Sequence, residues 1–394
     1  MAKRPALALI ALFASVVAVT PLAIDMYLPA MPLLSQALAT DSGAVQQSLS
    51  IFLAFYALGM LLFGPLADAV GRRPLALLGL SGFVLSSIWL SRSSDIESFL
   101  AGRALQAFFG AAATVVVPGL IRQLYQEHTA KGMSYMSMMM MLAPLLAPAI
   151  GSAVLALSDW RWIFLTLAGY GLLILLCSAK FFPATHPDSK RKPEFFSAYR
   201  TVLSRKMAQP LIAVSMFASF SFFCFLTAVP FIYIGHFHVD TTTFSILFGC
   251  NVLALIGANF ANARLVVAHG SARLLHVAFA SAGVWALLLT VLGLIDAPLW
   301  AVVAAIIPLM ASLGICATNA DALILMAFPE HSGTATAVIG TLRFGAGAAA
   351  GPLLALGGQT SVLPFALLML SGVCGMGLAL WFRRSRLARP EQAS

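Results

Sequence analysis

Long apolar runs alternate with short polar or Gly/Pro-containing breaks along nearly the whole chain. A bilayer core about 30 Å thick is crossed by roughly 20 apolar residues in helical form, and runs of that length predict twelve spans. Six are expected near Leu7–Leu28, Val45–Leu66, Leu75–Leu90, Ser98–Ile121, Ser134–Leu157 and Trp162–Phe182. Six more are expected near Leu211–Ile234, Phe244–Val266, Leu274–Ile295, Leu299–Phe328, Thr334–Leu356 and Leu363–Phe382. The runs are continuously apolar and do not alternate residue by residue, which disfavours a β-barrel. The longest polar stretch holds Pro183, Pro187, Pro193 and the cluster Lys190, Arg191, Lys192, and it separates the two sets. The pattern therefore predicts an all-α membrane protein with one six-helix bundle over residues 1–183, a linker over 184–209 and a second bundle over 210–394.

Composition agrees on the solvent. Of 394 residues, 60% are hydrophobic and 9% charged, against roughly 25% charged in a soluble domain. A net charge of +9 could point to nucleic acid, but the positions of the charges point elsewhere. Of the 23 Lys and Arg, Arg103 and Arg343 fall inside spans and Arg92 and Arg161 lie on one side, leaving the rest on the other. This is the positive-inside pattern, which predicts cytoplasmic termini and a cytoplasmic linker. Lys3 and Arg4 precede the first apolar run, yet no Ala-x-Ala-like cleavage context follows, so that run is expected to remain as a first transmembrane helix.

Several function classes lose support at this stage. The five cysteines sit in apolar runs without paired or metal-ligand spacing, so neither a disulfide framework nor a zinc site is expected. No HExxH signature, Walker phosphate loop or pore-lining charge ring is evident, which argues against a zinc enzyme, an ATP-driven pump and a channel. Weak internal similarity favours duplicated halves: the fifth span carries APLLAPAIGS (Ala143–Ser152) and the eleventh GAAAGPLLALGG (Gly347–Gly358). Such duplication is a signature of transporter folds, although small residues around a proline also serve ordinary close packing of membrane helices.

The loop after the second span reads GPLADAVGRRP (Gly64–Pro74). Asp68 falls near the helix end, Gly71 permits a sharp turn, and Arg72 and Arg73 follow, so with Gly64 the segment has the makings of a charge latch between neighbouring helices. This pattern resembles the loop motif of the major facilitator superfamily. Further strings narrow the likeness: PLAIDMYLPAMP (Pro21–Pro32), GRALQAFFGAA (Gly102–Ala112), the fifth-span segment with Pro144, Pro148 and Gly151, SDWRWIF (Ser158–Phe164) and FPEHSGTATAVIGTLRFGAG (Phe328–Gly347). Together they resemble the bicyclomycin and chloramphenicol resistance branch of the drug:proton antiporters. That resemblance implies two pseudo-symmetric six-helix bundles in the bacterial inner membrane, exporting small, moderately apolar organic drugs by alternating access. The proton would be the coupling ion, with no cofactor and no metal. Expected partners are a small-molecule substrate, protons and membrane lipid, with no nucleic acid, and the chain is expected to act as a monomer and not as an enzyme. An exporter of a metabolite such as a sugar or nucleoside would use the same machinery. Departures from the pattern are Ala143 and Ala147 where many antiporters carry glycine, a degenerate second loop copy with Asn262 and Arg264, and an unexpected acid at Asp321.

A charge inside a span costs about 2.5–3.5 kcal/mol on insertion scales, so each one needs a partner, a water-filled cavity or a function. Asp25 precedes Pro29 by four residues and Arg103 falls near the start of the fourth span. At 1.5 Å per residue both are expected about 6–8 Å below the outer boundary, close enough to pair. Two readings follow: Asp25 accepts the proton while Arg103 holds it charged, or the two form a permanent salt bridge that positions two helices. Asp321 and Arg343 are expected to form a second ion pair, read as a gate or packing contact ahead of a proton relay. Tyr27, Phe223 and Tyr233 join Asp25 and Arg103 as candidate substrate-cavity residues, since aromatic walls with a few polar groups suit moderately apolar ligands.

Overall fold

Pro29 breaks the first span without ending it. In the computed structural model, helix α1 (Leu7–Asp25) gives way to a single 3-10 turn at Leu28–Ala30 and then to α2 (Met31–Ala37). Proline lacks an N–H and crowds the preceding turn, so the chain tightens there before the helix resumes. The result is one candidate membrane span over Ala8–Ala37, longer than the expected Leu7–Leu28 and carrying Asp25 near its middle.

The structure describes residues 7–125, 129, 132–133, 135–136, 141–183, 197–328, 332–357 and 361–387. Much of the expected linker and Met138–Met140 of the fifth span lie outside the described residues. Among the described residues, eleven helices are long and apolar enough to cross a membrane, and one shorter apolar helix, Leu142–Leu157, completes the set. The chain divides into two units, Met1–Phe195 with Val239–Gly249, and Phe196–His238 with Cys250–Ser394.

In the first unit, the Asp41 carboxylate accepts the Ala44 N–H at 2.8 Å and starts α3 (Ser42–Val70). Gly71 ends it at φ 99°, a backbone conformation that suits glycine, and α4 (Arg72–Ser91) follows at once. Asp95 caps α5 (Ile96–Thr114) through the Ser98 N–H at 2.7 Å, and α6 (Val117–Tyr125) continues the same span. Helices α7 (Leu142–Leu157) and α8 (Arg161–Phe181) complete the set. Close approach of α3 to α5 rests on a missing side chain: a Cβ at Gly59 would stand 2.7 Å from the Ala111 Cβ.

The second unit contains α9 (Ser197–Ser204) and α10 (Gln209–Pro230), the latter continuing as a π-helical stretch over Phe231–His236. Next comes α11 (Thr241–His269), whose first residues cluster with the first unit. Asp240 opens it, accepting the N–H groups of Thr242 at 2.9 Å and Thr243 at 3.0 Å and the Thr243 hydroxyl at 2.6 Å. These bonds hold the Asp240 carboxyl below the usual carboxylate range. Then follow α12 (Ser271–Leu294), α13 (Leu299–Ala327), α14 (Ser332–Gly347), α15 (Ala350–Leu356) and α16 (Leu363–Leu387). Many large apolar side chains are exposed, among them Leu85, Leu173, Leu176, Trp300 and Leu367, as a chain solvated by lipid requires.

Candidate functional site

Arg103, on the second turn of α5, is 0% exposed and is the largest fully buried side chain described. A bare guanidinium in that setting would be very costly, so its surroundings are informative. Its Nη1 donates to the Ala23 carbonyl at 2.9 Å and to Gln106 Oε1 at 2.6 Å. Ala23 belongs to the last turn of α1, where helical carbonyls lack intrahelical partners. Gln106 Nε2 in turn donates to Ser87 Oγ at 2.9 Å, and Ser87 donates to the Phe83 carbonyl at 2.7 Å. The guanidinium carbon lies 4.2 Å from the Tyr27 ring centroid and 4.3 Å from that of Phe52, within cation–π range of both. Its Nε and Nη2 have no hydrogen-bond partner among the described residues.

Asp25, the last residue of α1, is 4% exposed. Among the described residues it makes no ion pair and no hydrogen bond, so the expected Asp25–Arg103 pair is not formed here. The physical reason is placement: Nη1 is held by a backbone carbonyl and an amide and the guanidinium lies against two ring faces, which fixes it clear of the Asp25 carboxyl although Nε and Nη2 carry no bond. The expected depth also changes, because the span runs on to Ala37, twelve residues past Asp25, or about 18 Å along a helix. Tyr27 is fully buried, its hydroxyl 3.2 Å from Ser48 Oγ.

Arg103→Lys is expected to lower stability by about 1–3 kcal/mol, because an ammonium cannot reproduce the planar fork and leaves a buried acceptor unpaired. Thermal unfolding of the purified full chain in detergent reads this directly, and an unchanged transition would show the fork to be dispensable.

On α7, the fifth-span motif lies against the broken first span. A Cβ at Gly151 would overlap the Met26 carbonyl oxygen, immediately after Asp25. The Pro148 carbonyl accepts the Ser245 hydroxyl at 3.0 Å, and Ser152 Oγ lies 2.8 Å from the Thr241 carbonyl and 2.7 Å from Ser245 Oγ. Pro144 sits on the first turn of the same helix.

In the expected latch, Gly64 lies on α3, and Gly71 makes the turn into α4. The Arg73 guanidinium donates to the Ala179 carbonyl at 2.5 Å, and that of Arg72 lies where a side chain on Gly119 would stand. The Asp68 side chain lies outside the described part of the chain.

In the second unit, Arg343 Nη1 donates to Asp321 Oδ2 at 2.8 Å, so these two residues meet as an ion pair. Two serines hold the pair from α10. Ser215 donates to Asp321 Oδ1 at 2.6 Å, and Arg343 Nε donates to Ser219 Oγ at 2.7 Å. Nearby in sequence, Asn319 donates to the Asn262 side chain at 2.7 Å. Phe223 is buried with its ring centroid 5.5 Å from that of Phe344, and Tyr233 is fully buried near Asn251. Sequence reasoning missed Gln106, Phe52, Ser87, Ser215 and Ser219. A signal existed for two of these groups: Gln106 is three residues after Arg103, and Ser215 and Ser219 are four apart on one helix face.

The apolar helices define a polytopic membrane protein. Residues 13–352 match the Major Facilitator Superfamily, and the chain belongs to that family. A bicyclomycin resistance protein homolog of Haemophilus influenzae is 33% identical over 374 residues, covering 93% of each chain. A chloramphenicol resistance protein of Pseudomonas aeruginosa is 31% identical over 71% of this chain and 69% of its own. Among solved structures, a D-xylose–proton symporter matches with a TM-score of 0.73 at 13% identity, covering 94% of this chain and 97% of that one. The nucleoside transporter NupG matches at 0.72 and 10% identity, covering 95% and 99%. At such identities the structures speak for the fold, which is that of the superfamily, with twelve transmembrane helices in two sets of six. The protein is a transporter and not an enzyme, and its relatives include drug-resistance proteins.

Proposed function

We propose that this chain exports small, moderately apolar organic drugs of the chloramphenicol or bicyclomycin type across the bacterial inner membrane in exchange for protons, by alternating access. The two sets of six helices would correspond to residues 1–183 and 210–394, joined by a cytoplasmic linker, with both termini cytoplasmic and the chain acting as a monomer. The observation that carries the reading is Asp25, a carboxyl group buried at a break in a membrane span, between Ala23, whose carbonyl accepts from the Arg103 guanidinium, and Tyr27, whose ring lies against it, while two nitrogens of that guanidinium are unused donors. An acid kept in that place at a cost of several kcal/mol is expected to have a task.

In this reading Asp25 with a bound proton is neutral and stands apart from Arg103, as the geometry has it. Loss of the proton creates a carboxylate that Nε and Nη2 of Arg103 would receive. Proton occupancy thereby changes what ties α1 to α5, and the drug competes for the same region beside Tyr27. The segment with Asp68, Arg72 and Arg73 would act as a conformational latch.

The test is drug accumulation in a bacterial strain stripped of its own exporters and expressing the chain. Chloramphenicol accumulation is expected to fall severalfold, and a protonophore is expected to restore it. Exclusion that survives the protonophore would remove proton coupling, and no exclusion of chloramphenicol or bicyclomycin would remove the drug class.

A further inference from the structure

The Asp321–Arg343 pair is not sealed in the protein interior. The Arg343 side chain is 37% exposed and that of Asp321 25%, whereas Ser215 and Ser219, which hold the pair from α10, are buried. The serines therefore fix the pair from behind and leave its open side unused. Each carboxylate oxygen accepts one bond, from Ser215 or from Arg343, so each keeps a further acceptor position. Arg343 spends Nε on Ser219 and one Nη1 proton on Asp321. Among the described residues, three of its N–H donors have no other partner.

One turn along α10 from Ser219 comes Phe223, in the stripe Ser215, Ser219, Phe223, and its ring packs with Phe344, the neighbour of Arg343. Phe344 is only half-buried. Gly347, one turn further along α14, allows this arrangement, since a Cβ there would stand inside the Phe223 ring. The local order is thus fixed: donors and acceptors side by side, with an aromatic surface one turn away.

We propose that Asp321 and Arg343, backed by Ser215 and Ser219 and flanked by Phe223 and Phe344, form a substrate subsite for neutral, hydroxyl-bearing ring compounds. The inference rests on the drug-export reading and narrows its substrate class. A hydroxyl is both donor and acceptor, so it bridges a carboxylate oxygen and a guanidinium N–H together. A net-neutral pair of this kind does not favour anions or cations. The ring of the same ligand lies against Phe344.

Thiamphenicol and florfenicol test it, because they share one ring and backbone and differ where florfenicol replaces the terminal hydroxyl with fluorine. Their binding to the purified full chain in lipid nanodiscs, at fixed pH and without a gradient, is compared by calorimetry. The wild type is expected to favour thiamphenicol by about tenfold, the loss that follows when hydrogen bonds to charged groups go unmade. In the double variant Asp321→Asn with Arg343→Gln, which removes both charges and shortens the arginine arm, the preference is expected to fall severalfold while florfenicol binding remains measurable, and that binding reports folding. Arg343→Lys, which keeps the charge and loses the fork, is expected to retain only part of the preference, and it decides the matter should the double variant bind neither compound. Equal binding of the two compounds by the wild type, or a full preference in the variants, would overturn the subsite. So would failure of the wild type to bind either. Proton coupling is read separately, from pH-driven efflux by the wild type, so its failure leaves the wild-type binding preference intact, and equal binding of the two compounds by a wild type that still shows pH-driven efflux removes the subsite and not the export reading.

Discussion

Asp25→Asn is expected to abolish uptake of chloramphenicol driven by an imposed pH gradient into vesicles holding the purified transporter, while leaving gradient-free exchange of labelled for unlabelled drug. Asparagine keeps the shape and most of the polarity of a protonated aspartate, so the break after α1 and its contacts with α5 and α7 are expected to persist. What it cannot do is bind and release a proton. The initial rate of gradient-driven uptake should fall to that of empty vesicles, whereas exchange should change by no more than a fewfold. Asp25→Glu, with the acid restored on a longer arm, should recover part of the driven rate. Normal pH-driven transport by the asparagine variant would sink the assignment of Asp25 and move attention to Asp321, an acid in a described span that, unlike Asp25, is ion-paired.

The fold was readable from hydrophobic patterning because lipid imposes a simple rule: twenty or so apolar residues per crossing, with polar breaks between them. The bounds failed where a proline was taken for a terminus. Pro29 interrupts the hydrogen-bond ladder, yet Met31–Ala37 resumes it, since packing against α3 and lipid supplies what local propensity loses. The site was legible in its charges and not in their partners. Charged letters in a span stand out on cost alone, and so Asp25, Arg103, Asp321 and Arg343 could be named. Which of them touch depends on helix rotation and on what else satisfies each one. Asp321 and Arg343 meet because two serines on one face of α10 hold them. Arg103 is oriented by a carbonyl at the end of α1 and the amide of Gln106, both on Nη1, and that placement leaves Asp25 without a bond to it. Neither a carbonyl nor a ring face is visible as a partner in a string of letters.

Gly151→Ala is expected to be among the most damaging single methyl additions to the first unit. The added carbon would overlap the Met26 carbonyl oxygen and approach the Met26 carbonyl carbon at 2.9 Å, so α7 must retreat or the broken segment after Asp25 must move. Backbone cannot rotate out of the way as a flexible side chain can. Overpacking of this kind costs about 1–3 kcal/mol, measurable as an earlier thermal unfolding transition of the purified protein. Gly169, on α8, is the control: nothing stands within 4 Å of its Cβ position, and alanine there should be neutral or slightly stabilising through helix propensity. The functional consequence should also differ in kind from that of Asp25→Asn. Displacing Met26 moves the acid and Tyr27 together, so both the driven rate and gradient-free exchange should fall, where the asparagine variant loses only the first. If Gly151→Ala unfolds like the wild type and keeps both activities, the tight seat of α7 against the break in the first span is not what holds Asp25 in place.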